Sequence, residues 1–129
     1  MDEGFYYFKE VHMTANFICY KKCTTCKKAE KFLRENDISY TARDYTEDPL
    51  SAAEITELWK ASSLPLSRFF NTSGQIYRQE KIKDLLPSLS EEEQINLLAK
   101  HPKLIKRPII QMKNTVLVGF KETEWKELA

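Results

Sequence analysis

Asn16-Phe17-Ile18-Cys19-Tyr20-Lys21-Lys22-Cys23-Thr24-Thr25-Cys26-Lys27-Lys28-Ala29 sets a short apolar run against a helical pattern, with a CxxC at the joint. The run at 16–20 has the length and composition of a strand. From Thr24 the pattern is helical, with Ala29, Phe32 and Leu33 on one face and Asn36 marking the end over residues 24–36. Residues 39–45 (SYTARDY) read as a second strand. Two strands joined by a crossover helix run parallel, almost always with right-handed connection. The chain is therefore expected to open on a β-α-β unit.

Further along, Ser51-Ala52-Ala53-Glu54 and Ser90-Glu91-Glu92-Glu93 both have capping-box spacing. Ile55, Leu58 and Trp59 follow the first at helical intervals; Ile95, Leu97, Leu98 and Ala99 follow the second. His101-Pro102 ends that second helix, because the residue before proline disfavours helical geometry. Between them lie a short segment at 66–70 opened by Pro65, a turn at Asn71-Thr72-Ser73-Gly74, and an apolar stripe of Ile82, Leu85, Leu86 and Leu89 broken by Pro87. Residues 108–111 and 115–120, with a turn near Lys113-Asn114, read as a hairpin, followed by a short helix holding Trp125 and Leu128. The expected class is α/β: a mixed sheet in the order β-α-β, a helical insertion over about residues 50–100, then β-β-α. Residues 1–13 read as an N-terminal extension and 14–129 as a single domain.

The chain has 129 residues, enough for one sizeable core. Its 20 basic and 19 acidic residues leave a net charge of +1, so charge alone argues for neither nucleic acid nor membrane as partner. No apolar run approaches the roughly 20 residues of a spanning helix, and no secretory signal is expected. Three cysteines make a poor disulfide framework and fit a reducing, cytoplasmic setting in which the CxxC cycles.

A thiol at a helix start lies beside unsatisfied backbone N–H groups, which favour the thiolate. Cys23 is accordingly the expected nucleophile and Cys26 the resolving thiol, with Lys21, Lys22, Lys27 and Lys28 expected to add to the stabilisation. A zinc site would need about four ligands, and no second pair stands at metal-site spacing. No bound cofactor is expected, only an external thiol reductant. Cys19, inside the strand, reads as a small buried hydrophobe, or else as a third redox partner. Arg68, in Pro65-Leu66-Ser67-Arg68-Phe69-Phe70, is expected to point outward or into a cleft while Phe69 and Phe70 anchor the turn. Arg107 is a second candidate for binding a negative group. Arg78 and Lys81 are lesser candidates. His101 reads as a helix C-cap, and Asp44, Glu47 and Asp48 as a solvated loop.

Taken together, Tyr20-x-x-Cys23-x-x-Cys26-Lys27-Lys28-Ala29, Asp44-Tyr45…Pro49, Leu66 to Gly74, His101-Pro102-x-Leu104-Ile105-Lys106-Arg107-Pro108-Ile109 and Val118-Gly119-Phe120 resemble the arsenate-reductase-related ArsC/Spx family, from about residue 15 to the C-terminus. The resemblance is to the reductase-like Gram-positive members that carry CxxC. It implies a thioredoxin-like four-stranded mixed sheet with strand order 2-1-3-4. Pro108 would be the cis-proline that faces the active cysteine in such folds, bringing Arg107 to Cys23. In arsenate reductases one cysteine attacks arsenate while arginines cradle the oxyanion; Cys23, Arg68 and Arg107 match these, and the third arginine would fall near Gly119. In the Spx branch CxxC is a redox switch on a transcriptional regulator that binds RNA polymerase through the C-terminal domain of its α chain; the glycine supporting that contact is missing from Ala61-Ser62-Ser63-Leu64. The leading expectation is a thiol-disulfide oxidoreductase in which Cys23 and Cys26 are catalytic and Arg68, Arg107 and Pro108 bind an oxidised protein or small-molecule substrate. Thioredoxin, glutaredoxin or glutathione would be the reductant. The alternatives are an Spx-like regulator or a true arsenate reductase.

Overall fold

The computed structural model describes residues 14–129; the extension read at 1–13 lies outside the described residues. A four-stranded sheet organises the chain, in the order β2-β1-β3-β4. Strand β1 (Ala15–Cys19) pairs in parallel with β2 (Tyr40–Asp44) and antiparallel with β3 (Ile109–Met112), which pairs antiparallel with β4 (Thr115–Val118). Helix α1 (Thr24–Glu35) makes the crossover between β1 and β2 and ends at Asn36, whose N–H reaches back to Phe32 O and Arg34 O.

The two-residue alternation of β1 divides the core. Ala15, Phe17 and Cys19 face α1, where they pack with Cys26, Ala29, Phe32, Leu33, Ile110 and Trp125. Ile18 faces the other side and joins a larger cluster with the helices inserted between β2 and β3. Those helices are α2 (Ala52–Ser62), α3 (Gln75–Gln79), α4 (Ile82–Leu85) and α5 (Glu91–Lys100), with 3-10 turns at Leu66–Phe69, Leu86–Ser88 and Pro102–Leu104. Both capping boxes form: Ser51 with Glu54 and Ser90 with Glu93 exchange side-chain and backbone hydrogen bonds at about 3.0–3.1 Å.

In the irregular middle the stripe at 82–89 is broken where the sequence reading has it: α4 gives way to a 3-10 turn at Leu86–Ser88, where Pro87 carries no N–H to continue the helical ladder, and Leu85 stays 42% exposed. Residues 75–79 form a short helix that the turn residues before it conceal. At the C-terminal end Gly119, at φ +78°, stops β4 one residue after Val118 rather than at 120. Helix α6 (Glu122–Trp125) then lays Trp125 across the sheet. No helix among the described residues is long and apolar enough to cross a membrane.

Candidate functional site

Cys23 is the N-cap of α1, extended in backbone, with its C=O accepting the first helical hydrogen bond from Lys27 N–H at 3.1 Å. Its own N–H is held by Tyr20 O at 2.9 Å, which fixes the tight exit from β1. Cys26, one turn on, is 3% exposed, and its Sγ accepts a hydrogen bond from Tyr20 N–H at 3.3 Å. Both are free thiols.

The two sulfurs are pushed in opposite directions. Burial alone would raise the Cys23 thiol. The Cys26 backbone N–H, the Arg107 guanidinium, the Cys26 thiol and the Thr25 N–H outweigh it, and the net shift is downward. The side chain makes no capping hydrogen bond as an uncharged thiol, so these donors act on the sulfur once it is ionised. Cys26 is pushed up to about 12, first by burial and then by repulsion from Cys23, against the pull of Tyr20 N–H. The flanking lysines contribute less than their sequence positions suggested. Lys21, Lys22, Lys27 and Lys28 are all exposed, and Lys21 pairs with Glu47 at 3.3 Å. Solvent screens such cations, whereas Arg107 is half-buried. Alkylation of Cys23 should therefore reach half its limiting rate below the ordinary thiol value of about 8.5. In Arg107→Ala the half-point should move up, slowing the reaction severalfold at pH 7; an unchanged half-point would remove Arg107 from this role.

Arg107 is brought in from the far end of the insertion. Its guanidinium donates to Tyr45 Oη at 2.8 Å and to Lys103 O at 3.5 Å, and lies 5.3 Å from the Tyr20 ring centroid. Tyr45 is 1% exposed and packs edge-on to Tyr20 at 6.4 Å. Tyr45 therefore leaves β2 after Asp44 to hold the arginine, although it read as part of the strand. Asp44 is also more than solvated loop. It accepts hydrogen bonds from Lys21 N–H at 3.2 Å and from Thr46 N–H and Oγ1 at 2.9 and 2.6 Å, pinning the β1 exit to the end of β2.

The Arg107–Pro108 peptide is cis, and Pro108 O accepts from Gly119 N–H at 2.7 Å. Buried Leu66 and Phe69 anchor the turn that carries Arg68 and leave Arg68 exposed. Backbone hydrogen bonds from Lys106 N–H to Phe69 O and from Asn71 N–H to Leu104 O, both 2.7 Å, clamp that turn to the segment bearing Arg107. Cys23, Arg68 and Arg107 consequently line one open cavity of about 640 Å³. Lys106 and Lys121, which sequence reasoning missed, line it too; they come from segments adjacent only in space. No acidic side chain is among the lining residues, so the mouth over Cys23 is cationic. Gly74 closes one wall, where a Cβ would sit 2.9 Å from Asn71 Nδ2. Arg78 and Lys81 lie elsewhere, on a shallower hollow with Tyr77, and His101 serves as the α5 C-cap. Among the described residues no cluster of His, Cys, Asp or Glu could hold a metal ion.

A model of the ArsC family matches residues 19–128. The chain belongs to the ArsC family. It is 43% identical over 115 residues to the uncharacterised protein YusI of Bacillus subtilis, covering 89% of this chain and 98% of that one. It is 33% identical over 102 residues to the global transcriptional regulator Spx of Listeria innocua, covering 79% and 76% of the two chains. Among solved structures, an ArsC family related protein from Bacteroides fragilis superposes with a TM-score of 0.87 at 45% identity, over 92% of this chain and 99% of that chain. The thioredoxin-like mixed sheet is thus the ArsC-family architecture, and both ends of the CxxC fall within the matched residues.

Proposed function

We propose that the protein is a thiol-disulfide oxidoreductase. Cys23 thiolate attacks one sulfur of a substrate disulfide, and the other leaves as a thiolate that takes a proton from water. Cys26 then loses its proton, attacks Cys23 Sγ and releases the reduced substrate, leaving a Cys23–Cys26 disulfide. An external thiol reductant of the thioredoxin, glutaredoxin or glutathione class restores both thiols. The observation that carries this reading is the placement of two free thiols one helical turn apart, Cys23 at the α1 N-cap on the cationic cavity and Cys26 buried, an arrangement that favours the thiolate at Cys23 and disfavours it at Cys26. A ready thiolate at Cys23 attacks first. Burial first, and repulsion from that thiolate after it, keep Cys26 protonated; the repulsion vanishes once Cys23 is in a mixed disulfide, which eases the loss of the Cys26 proton for the second step. The cationic cavity favours an oxidised substrate carrying negative charge.

The test is Cys26→Ser. This variant should accumulate a mixed disulfide through Cys23 when given a disulfide substrate, whereas the wild type should pass to the internal disulfide. Intact mass and peptide mapping read both products. Absence of any Cys23 adduct would overturn the reading.

The identity with Spx favours a second reading, a redox-dependent regulator that binds the C-terminal domain of the RNA polymerase α chain. Retention of that domain by only one redox form of the immobilised protein would favour it over the enzyme. For arsenate, the support is that Arg68 and Arg107 line the same cavity as Cys23, against it that Gly119 falls near where the third arginine was expected; a coupled arsenate-reduction assay separates that substrate from a disulfide.

A further inference from the structure

The proposed reaction leaves Cys19 unused. We propose that Cys19 is a third redox thiol, to which the Cys23–Cys26 disulfide passes as a Cys19–Cys26 disulfide, freeing Cys23. This rests on the thiol-disulfide reading above and extends it.

The alternation of β1 points Cys19 at α1, and Cys26 sits on the underside of the first turn of α1, in the same buried cluster. The amide that follows Cys19 directly in the chain, Tyr20 N–H, is the donor to Cys26 Sγ at 3.3 Å. Cys19 and Cys26 also line one cavity of about 340 Å³, together with Lys21, Lys27, Glu30 and Asp44. That cavity does not include Cys23, and the cationic cavity over Cys23 includes neither of the other two thiols. Cys26 therefore faces the second cavity, while Cys23, one helical turn before it, faces the first.

The exchange balances without an added oxidant. Cys19 gives its proton to water in the second cavity and its thiolate attacks Cys26 Sγ. The Cys19–Cys26 bond forms as the Cys23–Cys26 bond breaks, and Cys23 departs as a thiolate. Cys23 is the better leaving group because its thiolate is stabilised where Cys26's is not. The oxidising equivalent is thereby moved from the substrate mouth to a buried pair on the second cavity, and the substrate mouth regains its free Cys23. The rate is limited by Cys19 ionisation, which is held up at about 11 by burial, Asp44, Glu30 and Cys23, against Lys21.

Trypsin cuts after Lys21 and Lys22, so it separates Cys19 from the Cys23–Cys26 peptide. Dilute protein oxidised with one equivalent of diamide should yield a Cys19–Cys26 linked peptide pair together with alkylatable Cys23. Transfer should speed about tenfold per pH unit from 7 to 9, following the thiolate fraction. In Cys19→Ala the Cys23–Cys26 disulfide should still form, but Cys23 should stay protected from alkylation. A Cys23–Cys26 disulfide that forms in the wild type and never passes to Cys19, even at pH 9, would overturn the proposal alone. Formation of neither disulfide would overturn both this proposal and the oxidoreductase reading.

Discussion

Cys23→Ser should lose disulfide-reductase turnover by on the order of a thousandfold or more, with the fold intact. A serine hydroxyl at this N-cap keeps the helix start, since serine is itself a favoured N-cap residue. It cannot ionise near neutral pH, so the nucleophile is removed while the cationic cavity remains. The residual turnover should be insensitive to pH between 6 and 9, because no nucleophile is left whose ionisation limits attack. Arg107→Ala should fall between this variant and the wild type, because it raises the Cys23 thiol without deleting it. A coupled assay with a small disulfide and a thioredoxin or glutaredoxin system measures all three. Turnover surviving in Cys23→Ser would move the chemistry off this residue.

The second large effect concerns Trp125. It is fully buried and packs edge-on against Phe17, Phe32 and Phe120 at centroid distances of 6.2, 6.3 and 5.0 Å. Its indole N–H donates to Gly119 O at 3.1 Å, and Gly119 N–H in turn bonds Pro108 O. Trp125→Ala should cost about 3–5 kcal/mol, the usual range for emptying a large aromatic site. That is a sizeable share of the stability of an ordinary domain of this size. It should also free the Gly119 loop beside the cis-proline and weaken substrate binding at temperatures where the protein is still folded. Trp125→Phe keeps most of the packing and orphans only Gly119 O, so it should cost about 1–3 kcal/mol. Denaturant unfolding of both variants separates packing from the hydrogen bond. Equal midpoints for wild type and Trp125→Ala would show that the aromatic cluster does not hold this end of the sheet.

The β-α-β unit and its CxxC were legible in the chain because they are local. Strand, cap and helix face all fall within about thirty residues, and spacing reports spacing well. The capping boxes at Ser51 and Ser90 were legible for the same reason. What spacing could not report is how distant segments meet. The donation from Arg107 to Tyr45 joins residues 62 positions apart, and Lys106 and Lys121 reach the mouth only through the tertiary fold. The cation that tunes Cys23 was therefore assigned from sequence to the neighbouring lysines. Those side chains point to water, while a half-buried arginine from beyond the insertion has the stronger effect. The stripe at 82–89 was legible for the local reason again: Pro87 marks the break, and the helix gives way to a 3-10 turn at Leu86–Ser88.

The two short backbone hydrogen bonds that join Phe69 to Lys106 and Asn71 to Leu104 cinch the chain at the neck of a long helical excursion. Whatever is lengthened, trimmed or exchanged beyond that neck, the spacing between the two guanidinium-bearing residues is set at its base. Asn71, Ser73, Gly74 and Gln75, just past the neck, still line the mouth above the sulfur, so only the stretch beyond Gln75 can be remodelled to meet new partners, at a cost in stability, with that mouth left in place.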